Sequence, residues 1–332
     1  MTREPHNLIE NKNVISVVIP CFRVRNQILN VLESIGPEVS SIVVVDDACP
    51  ENTGKYVEEF CKDQRVKVLF NVVNEGVGGA TIAGYRYLLE TNTTIVIKID
   101  GDGQMDAGNI CKMSRPLIEN LADYTKGNRF YEPEAIRRMP KVRILGNLIL
   151  SFMTKLSSGQ YQVFDPNNGF TAIKVSLLAN IPLDKLDKRY FFESDMLFRV
   201  GISNGRVRDI PMHSIYGEEK SNLRIGKVLF EFPVKHFKNF VKRVAYNYYL
   251  KDFNLASIEL PTGVSLSLFG IILGLESWIR NAITGQPTPP GTLILIAMGV
   301  LVGVQLLLAF FSFDTNAWRT AQHQEKFGRD SL

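Results

Sequence analysis

Two carboxylates stand one residue apart in Asp100-Gly101-Asp102-Gly103-Gln104, a pattern suited to hard-cation chemistry. Aspartate oxygens match a divalent metal, and the glycines let the chain turn tightly enough for both side chains to share one ion. A metal held there would bridge the phosphates of a nucleoside diphosphate and stabilise the charge that builds as that group leaves. Asp106 is a further carboxylate close by. Acidic surface turns use the same residues, so the position of the turn in the fold must separate the two readings.

Asp46 and Asp47 form a second acidic pair. Such carboxylates can accept hydrogen bonds from a nucleobase or from ribose hydroxyls, or they can cap the helix that follows. The segment Asn74-Glu75-Gly76-Val77-Gly78-Gly79-Ala80 opens an apolar stretch with helical spacing, and its glycines would let backbone approach a ligand closely. It is superficially like a dinucleotide fingerprint. The turn after the first apolar run, Cys21-Phe22-Arg23-Val24-Arg25-Asn26, has no glycine, which argues against a dinucleotide-dependent dehydrogenase.

The elements around these residues explain their placement. Val14–Ile19, Ile42–Val45 and Ile95–Ile99 are short β-branched runs of the kind that form buried parallel strands. Between them, Ile28, Val31, Leu32 and Ile35, then Tyr56, Val57 and Phe60, recur at helical spacing, which gives a βαβαβ order. In open α/β sheets, ligands bind beyond the carboxyl ends of the strands. Those positions are Pro20–Phe22, Asp46–Asp47 and Asp100–Gln104.

Downstream the composition changes. Thr292–Phe313 is apolar apart from Gln305 and long enough to span a bilayer, and about Ser257–Ile279 is a second candidate span. The linker Thr284–Gly291 is uncharged while Lys, Arg and His crowd both outer flanks, so a hairpin would leave both ends in the cytoplasm. Just before it, Val228–Tyr249 carries Phe230, Val234, Phe237, Val241, Val244 and Tyr248 at roughly helical spacing, interleaved with Lys235, Lys238, Lys242 and Arg243. A basic helix with aromatic anchors suits an anionic leaflet. The predicted organisation is therefore a cytoplasmic catalytic domain over 1–225, an amphipathic interface segment over 226–256, and a transmembrane hairpin with a short tail over 257–332.

A net charge of +4 gives no reason to expect a nucleic-acid partner. The polar first 13 residues lack the apolar core of a signal peptide, so the catalytic domain is expected on the cytoplasmic face of the inner membrane. Cys21, Cys49, Cys61 and Cys111 show no metal-ligand spacing and read as reduced thiols.

Taken in order, Ile19-Pro20-Cys21-Phe22, Val45-Asp46-Asp47, the Asn74–Gly84 segment and Asp100–Gln104 resemble the family 2 glycosyltransferases. More narrowly they are similar to the dolichyl- or polyprenyl-phosphate sugar synthases. The match continues through Lys126-Gly127-Asn128-Arg129, Asp165–Phe170 and Phe191-Phe192-Glu193-Ser194-Asp195. The resemblance implies a GT-A fold, an α/β domain whose nucleotide half and acceptor half flank one cleft. It implies that Pro20, Phe22, Asp46, Asp47, Asn74, Gly78 and Asp100 surround the nucleotide-sugar. It further implies that Asp102 and Gln104, with Asp100, hold Mg²⁺ or Mn²⁺.

Arg129 and Arg143 match positions that hold phosphate or sugar near the acceptor, where a planar guanidinium suits phosphate oxygens. Lys220 and Ser221 lie where the family keeps a loop over the donor. Glu193 and Asp195 would orient the acceptor, or act as bases were that acceptor a sugar hydroxyl. This sequence departs from the family in two places: no acid follows Pro20, and the usual Asp-Asp-Gly-Ser reads Asp46-Asp47-Ala48-Cys49.

The expected reaction is inverting transfer of a monosaccharide to a polyprenyl phosphate such as undecaprenyl or dolichyl phosphate. Membrane lipids are expected partners; a homo-oligomer is compatible with hairpin-anchored relatives, and the sequence itself does not specify the oligomeric state. The competing readings are transfer to a sugar hydroxyl in surface polysaccharide synthesis and a non-catalytic scaffold of the same fold. A processive synthase is disfavoured because no Gln-x-x-Arg-Trp motif is present.

Overall fold

A computed structural model describes residues 13–131, 141–212 and 225–327 of the chain. They form two compact units, one up to Asn239 and one from Phe240 onward.

The first unit alternates strands and helices: β1 (Ile15–Cys21), α1 (Ile28–Glu33), β2 (Val39–Asp46), α2 (Thr53–Phe60), β3 (Val66–Phe70), α3 (Val77–Leu89) and β4 (Ile95–Lys98). It continues through α4 (Ile110–Ile118), β5 (Tyr124–Asn128), α5 (Lys141–Ser158), β6 (Thr171–Lys174), α6 (Val175–Leu178), α7 (Phe192–Ile202), β7 (Val207–Pro211) and α8 (Ile225–Ala245). The strands make one mixed sheet in the order β3-β2-β1-β4-β6-β5-β7. β1 to β4 are parallel to one another, and β6 runs antiparallel to both β4 and β5. The β4–β6 pairing is the seam between the βαβ half and the later half.

Helices cover both faces of this sheet, so its central strands are buried throughout and read as near-continuous apolar runs. Side chains alternate between two cores. Val17, Ile19, Val44 and Ile97 pack with Met113 and Phe170 on one face, while Val18, Val43, Val45 and Val96 pack with Tyr85, Leu88 and Met196 on the other.

The second unit contains the end of α8, a π-helical turn at Tyr246–Lys251, α9 (Leu255–Thr284) and α10 (Pro290–Phe327). A capping box between Asn254 and Ser257 starts α9, and Gly285 ends it at φ 68°. Leu255–Thr284 and Pro290–Asn316 are long and apolar enough to cross a bilayer. A seam of small residues joins the two helices: a Cβ on Gly270 would stand 2.8 Å from Val300 N, and one on Gly303 would stand 2.9 Å from Gly263 O. Backbones approaching this closely gain dispersion contacts that larger side chains would prevent.

The structure redistributes the predicted interface stripe. On α8, Phe230, Val234, Phe237 and Val241 are exposed, whereas Val244 and Tyr248 are buried in the second unit's small core with Ala256 and Phe310. Arg243, expected among the surface cations, is buried and forms a two-pronged pair with Asp314 at 2.7 and 2.8 Å. A partner 71 residues away decides its position, and local spacing carries no sign of it.

Candidate active site

The carboxyl ends of β1, β2, β4, β5 and β7 share one edge of the sheet, as their pairings require. Pro20, Asp46, Asp47, Asp100 and Arg129 all lie at or just beyond those ends.

Asp46 and Asp47 are held by backbone amides. Asp46 accepts from Cys49 N at 2.7 Å and from Gly54 N, in the first turn of α2, at 2.6 Å. Asp46 thus meets a first-turn amide of α2, the contact that the capping reading expects. Asp47 accepts from Glu75 N at 2.9 Å, Gly76 N at 2.7 Å and Asn71 Nδ2 at 2.8 Å, while Asn74 Nδ2 donates to the Asp47 carbonyl at 3.2 Å. These bonds tie the glycine segment to the end of β2. Ala48 completes the turn at φ 51°, so the left-handed backbone suited to glycine survives with alanine in its place. Gly78 faces protein: a Cβ there would stand 2.5 Å from the Asp187 carbonyl. Phe22 is exposed beside these turns, with the Arg23 guanidinium over its ring.

The turn after β4 is built differently. Gly103 takes φ 74°, and Asp102 Oδ1 accepts from Gln104 N at 3.0 Å, closing the loop on itself. Asp100 is part-exposed, and its Oδ1 accepts from Lys98 Nζ at 2.6 Å. Lys98 is fully buried and also reaches Glu193 Oε1 and the Gly169 carbonyl, both at 3.3 Å. Burial alone would discharge this lysine, but Asp100 and then Glu193 outweigh it and lift Lys98 above its ordinary range. A Cβ on Gly169 would stand 2.4 Å from Asp100 Oδ2, so a larger residue would push that carboxylate from its place.

Lys98 belongs to a row that spacing within one strand does not reveal. Its pairing partner on β6 is Thr171, which pairs with Lys126 on β5, which pairs with Asp209 on β7. Paired residues share a face, so one apolar face of the sheet turns polar at this edge. Lys126 is fully buried, donates to the Asn168 carbonyl at 2.6 Å and is brought down to about 8 by burial. Burial also pushes Asp209 up to about 6; its Oδ2 accepts from Phe164 N and Asn128 Nδ2, and its buried Oδ1 has no partner among the described residues. The sequence signal for this row was a lysine inside a strand with apolar or uncharged neighbours, Ile97-Lys98-Ile99 and Thr125-Lys126-Gly127.

On the later half, Arg129 lies just after β5 and grips buried Asp165 through Nε at 2.7 Å and Nη2 at 3.0 Å. Glu193 and Asp195 both begin α7 but face different partners. Glu193 meets Lys98, whereas Asp195 accepts from Asp187 N and Asn239 Nδ2, each at 3.0 Å, and pairs with Arg199. Arg143 lies on α5, with its side chain outside the described residues, as are Lys220 and Ser221 entirely.

Two helices of this unit present apolar side chains outward. Leu145, Leu148, Ile149 and Phe152 are exposed along α5, while Thr154, Ser157 and Ser158 pack inward. On α8, exposed Phe230, Val234 and Phe237 stand opposite buried Phe232, His236 and Asn239. Ser157 and His236 Nδ1 join the two helices at 2.8 Å, and burial lowers the His236 imidazole to about 4. The α5 stripe was not singled out from the sequence, although its spacing of three and four residues was visible there.

The donor set after β4, two carboxylates and an amide oxygen, consists of hard oxygen ligands that fit Mg²⁺ or Mn²⁺. Among the described residues no three His, Cys, Asp or Glu side chains converge on one point.

A family model described as Glycosyl transferase family 2 matches residues 16–181, half of the chain. The UDP-N-acetylglucosamine–dolichyl-phosphate N-acetylglucosaminyltransferase of Methanococcus voltae is 29% identical over 235 residues, covering 65% of this chain and 93% of that protein. The undecaprenyl-phosphate mannosyltransferase of Micrococcus luteus is 28% identical over 59% of this chain and 80% of its own length. Among solved structures, glucosyl-3-phosphoglycerate synthase of Mycobacterium tuberculosis in complex with UDP matches with a TM-score of 0.51 at 18% identity, covering 73% of this chain and 86% of that one. Another structure of that enzyme, with a TM-score of 0.50, holds Mn²⁺ and UDP. These likenesses fix the fold as GT-A, and the chain belongs to glycosyl transferase family 2.

Proposed function

We propose that this enzyme transfers a monosaccharide from a nucleotide-sugar to a polyprenyl phosphate at the cytoplasmic face of the inner membrane. The observation that carries the choice of acceptor is the pair of outward apolar stripes on α5 and α8, in the same unit as the Asp100–Gln104 turn. A helix whose exposed face is apolar has a second apolar neighbour, and a lipid leaflet supplies one. The exposed Lys238 and Lys242 beside the α8 stripe suit anionic headgroups. The hairpin of α9 and α10 gives the anchor, with the charged flanks of both helices on the cytoplasmic side. Relatives named for dolichyl- and undecaprenyl-phosphate acceptors support the same reading.

Asp100, Asp102 and Gln104 would hold Mg²⁺ or Mn²⁺. When bound, that ion supplies positive charge to the departing nucleoside diphosphate. Pro20, Phe22 and the amide-wired turns of Asp46, Asp47 and Asn74 shape the nucleotide pocket, with Gly78 setting how α3 packs behind it. Arg129, held flat by Asp165, and Arg143 would position the acceptor phosphate. Lys220 and Ser221 would reach the donor phosphates.

A phosphate monoester is already largely anionic at pH 7, so its oxygen attacks the anomeric carbon without a strong base, the diphosphate leaves from the opposite side, and the configuration inverts. Glu193 and Asp195, both paired to cations, organise the site rather than take a proton. Purified enzyme with Mn²⁺ or Mg²⁺, a panel of nucleotide-sugars and undecaprenyl or dolichyl phosphate should give one glycolipid, identified by mass. No lipid product across the donors, with transfer to a free sugar hydroxyl instead, would replace this reading with polysaccharide synthesis.

A further inference from the structure

The ammonium of Lys98 sits among oxygens from three separate stretches of the chain. Its neighbours are Asp100 Oδ1 at 2.6 Å, Glu193 Oε1 at 3.3 Å and the Gly169 carbonyl at 3.3 Å, a set of hard oxygens with two formal negative charges. The residue is fully buried, and the absence of a side chain on Gly169 is what admits it, since a Cβ there would stand 2.8 Å from Nζ. Without that ammonium, the carboxylates of Asp100 and Glu193 would face each other across an empty space with nothing to bridge them.

We propose that Lys98 is a built-in cation that positions both Asp100 and Glu193. It commits one oxygen of Asp100 and leaves the other side of that carboxylate for the ligand turn. It also makes Glu193 a neutralised counter-charge fixed at the start of α7. Because Asp100 follows β4 and Glu193 begins α7, this one ammonium links the turn proposed to meet the donor with the helix proposed to lie near the acceptor. The inference rests on the reading of Asp100–Gln104 as the metal–diphosphate turn. Its core claim, that a single cation balances two acids, is testable without any substrate.

Lys98→Ala opens a space where the ammonium stood and leaves both acids unbalanced. The melting temperature of this variant should fall, and ammonium or methylammonium chloride should raise it by several degrees, on the order of 1 kcal/mol of stability. Tetramethylammonium at equal ionic strength, too large for the space, should not. Wild type should respond equally to all of these salts. The double variant Lys98→Ala/Glu193→Gln removes one unbalanced acid and should melt higher than Lys98→Ala alone, which keeps the test open if the single variant is poorly folded.

Turnover of Lys98→Ala should drop about 100-fold and recover at least tenfold with ammonium. Equal salt responses in variant and wild type, or a double variant no more stable than the single one, would overturn the proposal. Failure of wild type to transfer any sugar would instead overturn the functional reading and leave the stability results to stand.

Discussion

Two acidic pairs end neighbouring regions of one sheet, and they are held by opposite means. Asp46 and Asp47 spend their oxygens on backbone amides of α2 and of the glycine segment. Asp100 is held by one lysine side chain and stays part-exposed, and Asp102 accepts from the amide of Gln104 within its own turn. A carboxylate consumed by amides acts as part of the chain's wiring. One held by a side chain at a turn keeps an oxygen to offer to a ligand. Residue type and strand-end position are the same in both, so the partner decides the role.

The contrast can be broken from either side. The largest effect is expected from Asp102→Ala, which should lower turnover by about 10²–10³-fold while leaving the melting temperature close to wild type. A large loss of stability instead would erase the distinction. Asp46→Ala should do the converse, costing about 2–4 kcal/mol in chemical denaturation because two buried amides lose their acceptor, with turnover per folded molecule within about tenfold. A collapse of turnover at unchanged stability would make Asp46 a ligand contact in its own right.

The later half offers a pH test. Asp209 in the folded protein is raised to about 6 from an ordinary 3.8, so between those values the folded state keeps a proton that the unfolded state releases. Stability contributed by this group therefore falls as pH rises through that window and is level above it. Asp209→Asn should remove that slope, read as the difference between the melting curves of variant and wild type from pH 4 to 7. The smallest expected effect is at the Asp47 turn, where Ala48→Gly relieves a left-handed alanine. It should stabilise by up to about 1 kcal/mol, since the relief exceeds the entropy that glycine adds to the unfolded chain.

What the sequence disclosed follows the range of the forces involved. The strands of the βαβ half, the turns that end them and the two long apolar helices rest on local pattern, and the structure shows them within a few residues of expectation. The β4 strand ends at Lys98 rather than Ile99, because the chain begins turning toward the acidic loop there. Partnerships across the sheet were hidden. Nothing near Lys98 in sequence announces Glu193, and nothing near Arg243 announces Asp314. Lys126 and Asp209 become neighbours only through the β5–β7 register. The capping contact of Asp46 was legible in the sequence as one reading, and the amide it meets, Gly54 N, is given by the fold.

The Lys98 cage also sets an order of events as the chain is made. Asp100 is two residues away, but Gly169 is 71 and Glu193 is 95 residues further along. At about 5–20 residues per second, the last of these partners is synthesised roughly 5–20 s after the lysine. Until then β4 carries a cation with an incomplete set of neighbours, and for most of that interval its β6 partner strand is missing as well. The centre of the site is thus among the last parts of this domain to close, and a nascent chain interrupted before α7 would hold most of the βαβ half without a finished catalytic edge.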